Sequence, residues 1–212
     1  MYKPAHFVLP ELDLARRLIE EQPFAMLVGP DAEGRGFVTH LPLSWGGDAE
    51  GADGDGASWW LEGHMARANP HWAWLAAQRE VLAVFSGPDA YVSPRHYDHE
   101  RNVPTWNYLA VHVYGTLELV EGEAEKDALL KRLIARHEPD YAAQWRALAP
   151  DFQHRLLGAI VGFRLRVTRW EAKAKISQNR APGERARIAG EFAQGTTKQR
   201  ELARWMQTLG LI

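Results

Sequence analysis

The sequence predicts an α+β protein, an antiparallel β-barrel with peripheral helices and a helical extension at the C-terminal end. Three observations carry that reading. At least six segments have strand character and are bounded by Gly, Pro, Asn and Asp clusters. No sustained alternation of strand with long helix accompanies them, which argues against a parallel sheet and for antiparallel closure into a barrel. Of 212 residues, 46% are hydrophobic, enough to bury a sizeable core in one domain with an extension.

Pro10 to Ile19 places apolar residues at Leu12, Ala15, Leu18 and Ile19, one face of a short helix, with Pro10 suited to its first turn. Pro23 breaks that helix. Phe24 to Val28 reads as a strand, Gly29-Pro30-Asp31-Ala32-Glu33-Gly34 as a turn, and Gly36 to Leu43 as the second arm of a hairpin. Pro42 removes one ladder hydrogen bond, so this arm belongs at an edge or a bulge, where free backbone groups face a ligand. Gly46 to Ala57 is almost wholly Gly, Asp, Ala and Glu and reads as a hairpin tip leading into the strand Ser58 to Gly63. Its aspartates suggest calcium, but an EF-hand needs carboxylates at fixed alternate positions and flanking helices, and here strands flank the loop.

Asn69-Pro70-His71 opens a short helix, Asn69 serving as its cap. Glu80 to Phe85, Ala90 to Ser93 and the alternating run Val111 to Leu119 complete the extended segments. From Glu123 the period becomes helical: Leu129, Leu130, Leu133 and Ile134 form one apolar face, Phe152, Leu156, Leu157 and Ile160 another. Val161 to Trp170 returns to strand, with Val161, Phe163, Leu165 and Val167 opposite Arg164 and Arg166. Thr196 to Leu209 reads as an amphipathic helix. The expected division is a barrel domain over 1–180 and a helical extension over 181–212, packed on the barrel or on a partner subunit.

The formal net charge of −2 excludes bulk cationic binding to nucleic acid, although residues 164–212 alone carry a net +7 on a body of net −9. The absence of cysteine excludes disulfides, thiolate metal sites and a cysteine nucleophile. No apolar run near the N-terminus is long enough for a signal peptide or membrane span, so a cytoplasmic protein is expected, with no membrane partner. No nucleophile elbow, phosphate loop or zinc-protease motif supports a hydrolase or kinase. His96 and His99 lie three apart but in loop-like sequence without a second ligand pair, so no metal is expected. Nine tryptophans supply a large aromatic surface to bury or to offer a planar ligand.

Four polar blocks fall where strands end: Thr39-His40, His64 to Asn69, Thr105 to Tyr108, and Lys175 to Arg180. Taken singly each has an ordinary reading, with Asn69 a helix cap, His64 an interior histidine and Trp106 core. Together they combine backbone donors at a helix start, basic side chains, amides and flat aromatic surface, a set suited to an anionic phosphate joined to a planar ring.

At these residues the sequence resembles the PaiB-type FMN-binding negative transcriptional regulators, whose split barrel is shared with pyridoxamine phosphate oxidase. The resemblance runs in order through Met1 to Phe7, Thr39-His40-Leu41-Pro42, Gly63 to Trp72, Tyr91-Val92-Ser93-Pro94, Val103 to Tyr108 and Lys173 to Arg180. Ile176 stands where leucine is expected, and the region after Gly183 is less similar. The resemblance implies a homodimer with FMN in a cleft between subunits, its ring against the strand Val38 to Pro42. Within the matched blocks, Val38, Thr39, His40 and Leu41 are expected to offer the strand edge, with backbone contacts from Thr39, His40 and Leu41. Arg67, Asn69 and Lys175 are expected at the phosphate or ribityl chain. Trp106, Asn107, Gln178 and Asn179 are expected at the ring or ribityl chain, with Ala66, Thr105 and Ser177 beside them and His64 orienting its loop.

The functions implied are a flavin-dependent sensor or repressor and, from another class, a flavin-dependent oxidoreductase of the same fold, since the isoalloxazine carries its own chemistry. A haem-binding split barrel, with His64 or His154 as iron ligand, is a further alternative. DNA is weakly supported as a partner: no helix-turn-helix is present, and Lys198, Arg200 and Arg204 are few for tight phosphate binding.

Overall fold

Hydrogen bonding joins the extended segments into one sheet. The computed structural model describes residues 1–47 and 59–212. Its strands are β1 (Phe24–Pro30), β2 (Gly36–Pro42), β3 (Ser44–Gly46), β4 (Trp60–Ala66), β5 (Val81–Val92), β6 (Thr105–Val120) and β7 (Ile160–Lys175). Its helices are α1 (Leu12–Glu21), α2 (His71–Ala76), α3 (Glu123–His137), α4 (Tyr141–Ala147), α5 (Pro150–Gly158), α6 (Pro182–Ala193) and α7 (Thr197–Thr208). The sheet order is β2-β1-β5-β6-β7-β4-β3, with antiparallel pairing of β1 to β2 and β5, and of β4 to β3 and β7. The α+β class and antiparallel sheet are those the sequence predicts. Among the described residues no helix is long and apolar enough to cross a membrane.

The chain divides into two units: one holds Met1–Leu18, Ser86–His112 and Glu171–Ile212, the other Ile19–Phe85 and Val113–Trp170. In the second, the β1–β2 hairpin closes as its turn residues require. Asp31 Oδ1 accepts from the backbone N–H groups of Glu33 at 2.9 Å and Arg35 at 2.8 Å, and Gly34 takes φ +79°, which a glycine adopts without strain. β2 also comes against β4, which lies near the far end of the sheet order: a Cβ on Gly63 would stand 2.8 Å from Leu43 Cδ2 and 3.1 Å from the Pro42 carbonyl oxygen. This approach curls the sheet toward closure. β3 pairs with β4, Gly46 opposite Trp60, so strands flank the expected hairpin tip. Residues 48–58, and with them the calcium question, lie outside the described residues.

The helical stretch after Glu123 consists of three helices rather than two, and Ile160 opens β7 instead of ending a helix. Lys126 Nζ donates to the Leu157 carbonyl at 2.6 Å, joining α3 to the end of α5, while Trp145 Nε1 donates to Asp127 at 2.8 Å and secures α4. Arg164 and Arg166 occupy the face opposite the buried Phe163 and Leu165. They lie over the Trp60 ring at 5.7 and 4.8 Å, and Arg166 also pairs with Glu118 at 2.8 Å.

In the first unit, α7 starts as Thr196 predicts. The Thr196 N–H donates to Gln199 Oε1 at 2.8 Å, and the threonine hydroxyl accepts from the Gln199 N–H at 3.4 Å. Leu202, Trp205 and Met206 form the buried face. α6 is tied to the 94–102 segment through Glu184, which accepts from the Asp98 N–H at 2.9 Å, and through Arg187, which donates to the His96 carbonyl at 2.8 Å. The two segments expected around Gly87-Pro88 are one strand, β5. A Cβ on Gly87 would come within 2.9 Å of Leu109 Cβ and Leu18 Cδ1, so this glycine permits close packing rather than a turn.

Candidate functional site

β2 begins the sheet order, so among the described residues one side of its backbone has no strand partner. This is the edge position that Pro42 implies. Along it Thr39, His40, Leu41 and Pro42 line a groove of about 550 Å³, completed by His64, Met65 and Ala66 at the end of β4, by Asn69, and by Ala159 and Ile160. The size lies within the range usual for small-molecule sites. Asn69 links two walls: its Oδ1 accepts from the His71 N–H at 3.1 Å, and its Nδ2 donates to Thr39 Oγ1 at 3.1 Å. Thr39 Oγ1 also lies 2.7 Å from Nδ1 of the fully buried His71. Burial holds both His64 and His71 below the ordinary imidazole pKa, which favours the uncharged ring in each.

A smaller cavity of about 210 Å³ belongs to the first unit, with Thr105, Asn107, Lys175, Ser177, Asn179 and Arg180 in its walls beside His6 and Phe7. Lys175 Nζ donates to Thr105 Oγ1. Burial lowers the Lys175 pKa; Tyr108 opposes that shift and neighbouring Lys173 adds to it. Ser177 holds φ +69°, a left-handed conformation uncommon outside glycine. The fully buried Asn107 supports it, its Nδ2 donating to Ser177 Oγ at 3.0 Å and its Oδ1 lying 3.1 Å from the same hydroxyl. Ser177→Ala leaves that carboxamide without its partner, and a loss of about 2 kcal/mol is expected. In a chain of this size that lowers the melting temperature by about 6 °C, readable in a thermal melt.

The remaining candidates fall in other settings. Val38 and Trp106 are exposed, at 44% and 52%, with Trp106 edge-on to Tyr91 at 6.4 Å. Arg67 places Nε on the Gly158 carbonyl at 2.9 Å and Nη2 on the Ile160 carbonyl at 3.2 Å, tying down the turn after α5. Gln178 folds onto its own turn, accepting from the Ile176 N–H at 2.8 Å and donating to the Ala174 carbonyl. His154 is exposed and lies 2.7 Å from Glu123; His96 is buried, 3.3 Å from Glu191. Sequence reasoning did not single out His71, His6, Ile160 or Arg180. His6, His71 and Arg180 sit inside matched blocks, which was the available signal. Arg180 stacks on the Tyr97 ring at 3.7 Å and donates to Asn102 at 2.7 Å.

Comparison with known proteins bears on the same regions. A family model described as "Putative FMN-binding domain" matches residues 1–169, which leaves the Lys175 to Arg180 block beyond the match. The chain is 35% identical over 182 residues to the "Protease synthase and sporulation protein PAI 2" of Bacillus subtilis, covering 85% of this chain and 83% of that protein. It is 29% identical over 155 residues to an uncharacterized protein of Saccharomyces cerevisiae, covering 63% of this chain and 86% of the other. Among solved structures, the flavocytochrome Anf3 from Azotobacter vinelandii superposes with a TM-score of 0.60 at 20% identity, over 79% of this chain and 69% of that one. The FAD and heme binding protein from Mycobacterium smegmatis gives 0.58 at 18% identity, over 79% and 72%. These two likenesses establish the fold. With the family match over residues 1–169 and the Bacillus relative covered over most of its length, the chain belongs to the PaiB-type FMN-binding family, built on the split barrel.

Proposed function

We propose that the protein binds FMN as a homodimer in the cytoplasm and acts as a flavin-dependent regulator of the PaiB type. The observation that carries this reading is the groove along the open edge of β2 in a chain of an FMN-binding family. The unpaired side of the β2 backbone over Thr39 to Leu41, where alternate residues turn their N–H and C=O groups outward, suits the polar edge of an isoalloxazine, and the hydroxyl and carboxamide of Thr39 and Asn69 add directional contacts. When bound, FMN supplies a planar ring able to take up and return electrons. The chain positions that ring along the β2 edge.

Lys175, in the smaller cavity of the first unit, is proposed as a phosphate contact on the strength of the family resemblance; two of its three ammonium hydrogens remain after the bond to Thr105. Arg67 and Gln178 serve chiefly to hold the turns on which Asn69, Ser177 and Asn179 sit. Regulation through direct DNA contact has little support from α7: Lys198 pairs with Asp89 at 2.5 Å, Arg204 lies 3.9 Å from Glu201, and Arg200 bonds Gly195 and Thr197.

Titration with FMN is expected to quench tryptophan fluorescence saturably and to raise the melting temperature, since the ligand binds only the folded state. No response at millimolar FMN would overturn the reading, and sedimentation as a 24.0 kDa species would remove the dimer. Lys175→Ala is expected to weaken FMN by about tenfold or more while leaving riboflavin nearly unchanged, because riboflavin has no phosphate for the ammonium. Equal losses for both ligands would place Lys175 away from the phosphate.

A further inference from the structure

We propose that His71 is a positioning residue that makes the Thr39 hydroxyl a hydrogen-bond donor into the β2 groove, aimed at an acceptor atom on the edge of the ring ligand. The ligand part rests on the proposed FMN binding; the donor part rests on the hydrogen bonds among Thr39, Asn69 and His71 and on the buried, unpartnered Nε2 of His71.

One donor in this cluster has a direction fixed by the backbone. The His71 backbone N–H donates to the Asn69 side chain at 3.1 Å, so the carboxamide oxygen faces His71 and its NH₂ faces Thr39. Thr39 Oγ1 therefore accepts from Asn69. A hydroxyl has one proton and two acceptor positions. What remains is decided by His71 Nδ1, 2.7 Å away. If Nδ1 carries the ring proton, it fills the second acceptor position and the Thr39 proton turns outward. If Nδ1 is bare, it takes the Thr39 proton, and Thr39 offers the groove only a lone pair.

The other ring nitrogen settles the choice. Nε2 is buried and has no hydrogen-bond partner among the described residues. It lies beside Leu75 at Gly29, where an added Cβ would stand 3.5 Å from Nε2 and 2.3 Å from Leu75 Cδ2. Phe37 and Trp74 complete the surroundings, their ring centres 4.7 and 6.3 Å from the imidazole. An orphaned N–H is the rarer arrangement in a protein interior than an under-used acceptor. The proton accordingly sits on Nδ1, and Thr39, which lines the groove, presents its own proton there. Carbonyl oxygens and unprotonated nitrogens on the isoalloxazine edge are acceptors of the required kind.

The first test is nitrogen NMR on the flavin-free protein with labelled imidazole. A protonated Nδ1 and bare Nε2 on His71 are expected; the reverse tautomer would overturn the donor assignment. The second test measures FMN affinity and the flavin midpoint potential. Thr39→Val keeps the shape, removes the proton and is expected to weaken FMN about fivefold and move the potential, while Thr39→Ser retains both. His71→Phe is expected to match Thr39→Val and to add little in the Thr39→Val background. Unchanged affinity and potential in Thr39→Val, or fully additive losses, would defeat the proposal, and the valine variant decides even if the phenylalanine variant fails to fold. Failure of the wild-type protein to bind FMN would sink the functional reading instead, with the tautomer still judged on the free protein.

Discussion

Gly115→Ala is expected to lower the stability of the fold by about 4 kcal/mol or to prevent folding altogether. Gly115 lies on β6 where β7 passes closest: a Cβ there would stand 2.0 Å from the Arg166 carbonyl oxygen, 2.7 Å from its carbon and 3.1 Å from Val167 Cα. All three atoms are backbone, so no side chain can swing aside. The methyl group is accommodated only by separating two neighbouring strands in the interior of the sheet order, with loss of their ladder and of the packing around Val113 and Phe163. Gly36→Ala is the matched control, because nothing lies within 4 Å of its added Cβ. Urea denaturation of the two variants reads the contrast directly. A loss below about 1 kcal/mol for Gly115→Ala would contradict the close approach of β6 and β7.

The second large effect concerns a buried charge. Glu62 on β4 is 5% exposed, and Arg132 on α3 grips both its oxygens, Nε at 2.5 Å and Nη2 at 2.7 Å. The hydrogen bonds to that carboxylate hold the arginine above its usual pKa. Arg132→Ala removes both charge-assisted hydrogen bonds from a carboxylate that the half-exposed arginine covers, and a loss of about 3 kcal/mol is expected. Adding Glu62→Gln to Arg132→Ala should recover part of that loss, because an uncharged amide is less costly to leave buried than an anion. Denaturant unfolding of both single variants and the double completes the cycle. Arg132→Ala within about 0.5 kcal/mol of wild type would show that the pair contributes no more than an exposed one.

Much of the fold was legible because its signals are local. The face of Leu12, Ala15, Leu18 and Ile19 marks α1, the Asp31 turn marks the first hairpin, and the amphipathic run from Thr196 to Leu209 marks α7. Pro42 on an edge strand follows from its missing N–H. The strand ends were less legible: β6 begins at Thr105 and β7 runs to Lys175, so the Thr105 to Tyr108 block lies wholly within a strand and Lys175 closes another. Such boundaries depend on how far a neighbouring strand continues the ladder, which no window of one segment contains.

For the site, the ordered blocks around Thr39, His64, Asn69 and Lys175 were enough to name candidate polar residues and to imply a flavin. They did not reveal which of those residues are free to face a ligand. Arg67 and Gln178 carry the right functional groups, yet backbone carbonyls and N–H groups of their own units hold them. His71 reads as one residue of a short helix, and its partner Thr39 lies 32 positions away. By itself, the sequence determined the α+β class, the edge strand and the chemical inventory of the site, because periodicity, turn chemistry and residue type act over a few positions. Only the tertiary structure decided how those groups are used, the strained Ser177 turn and the Gly115 contact included, because each donor is spent on whatever acceptor folding brings within reach.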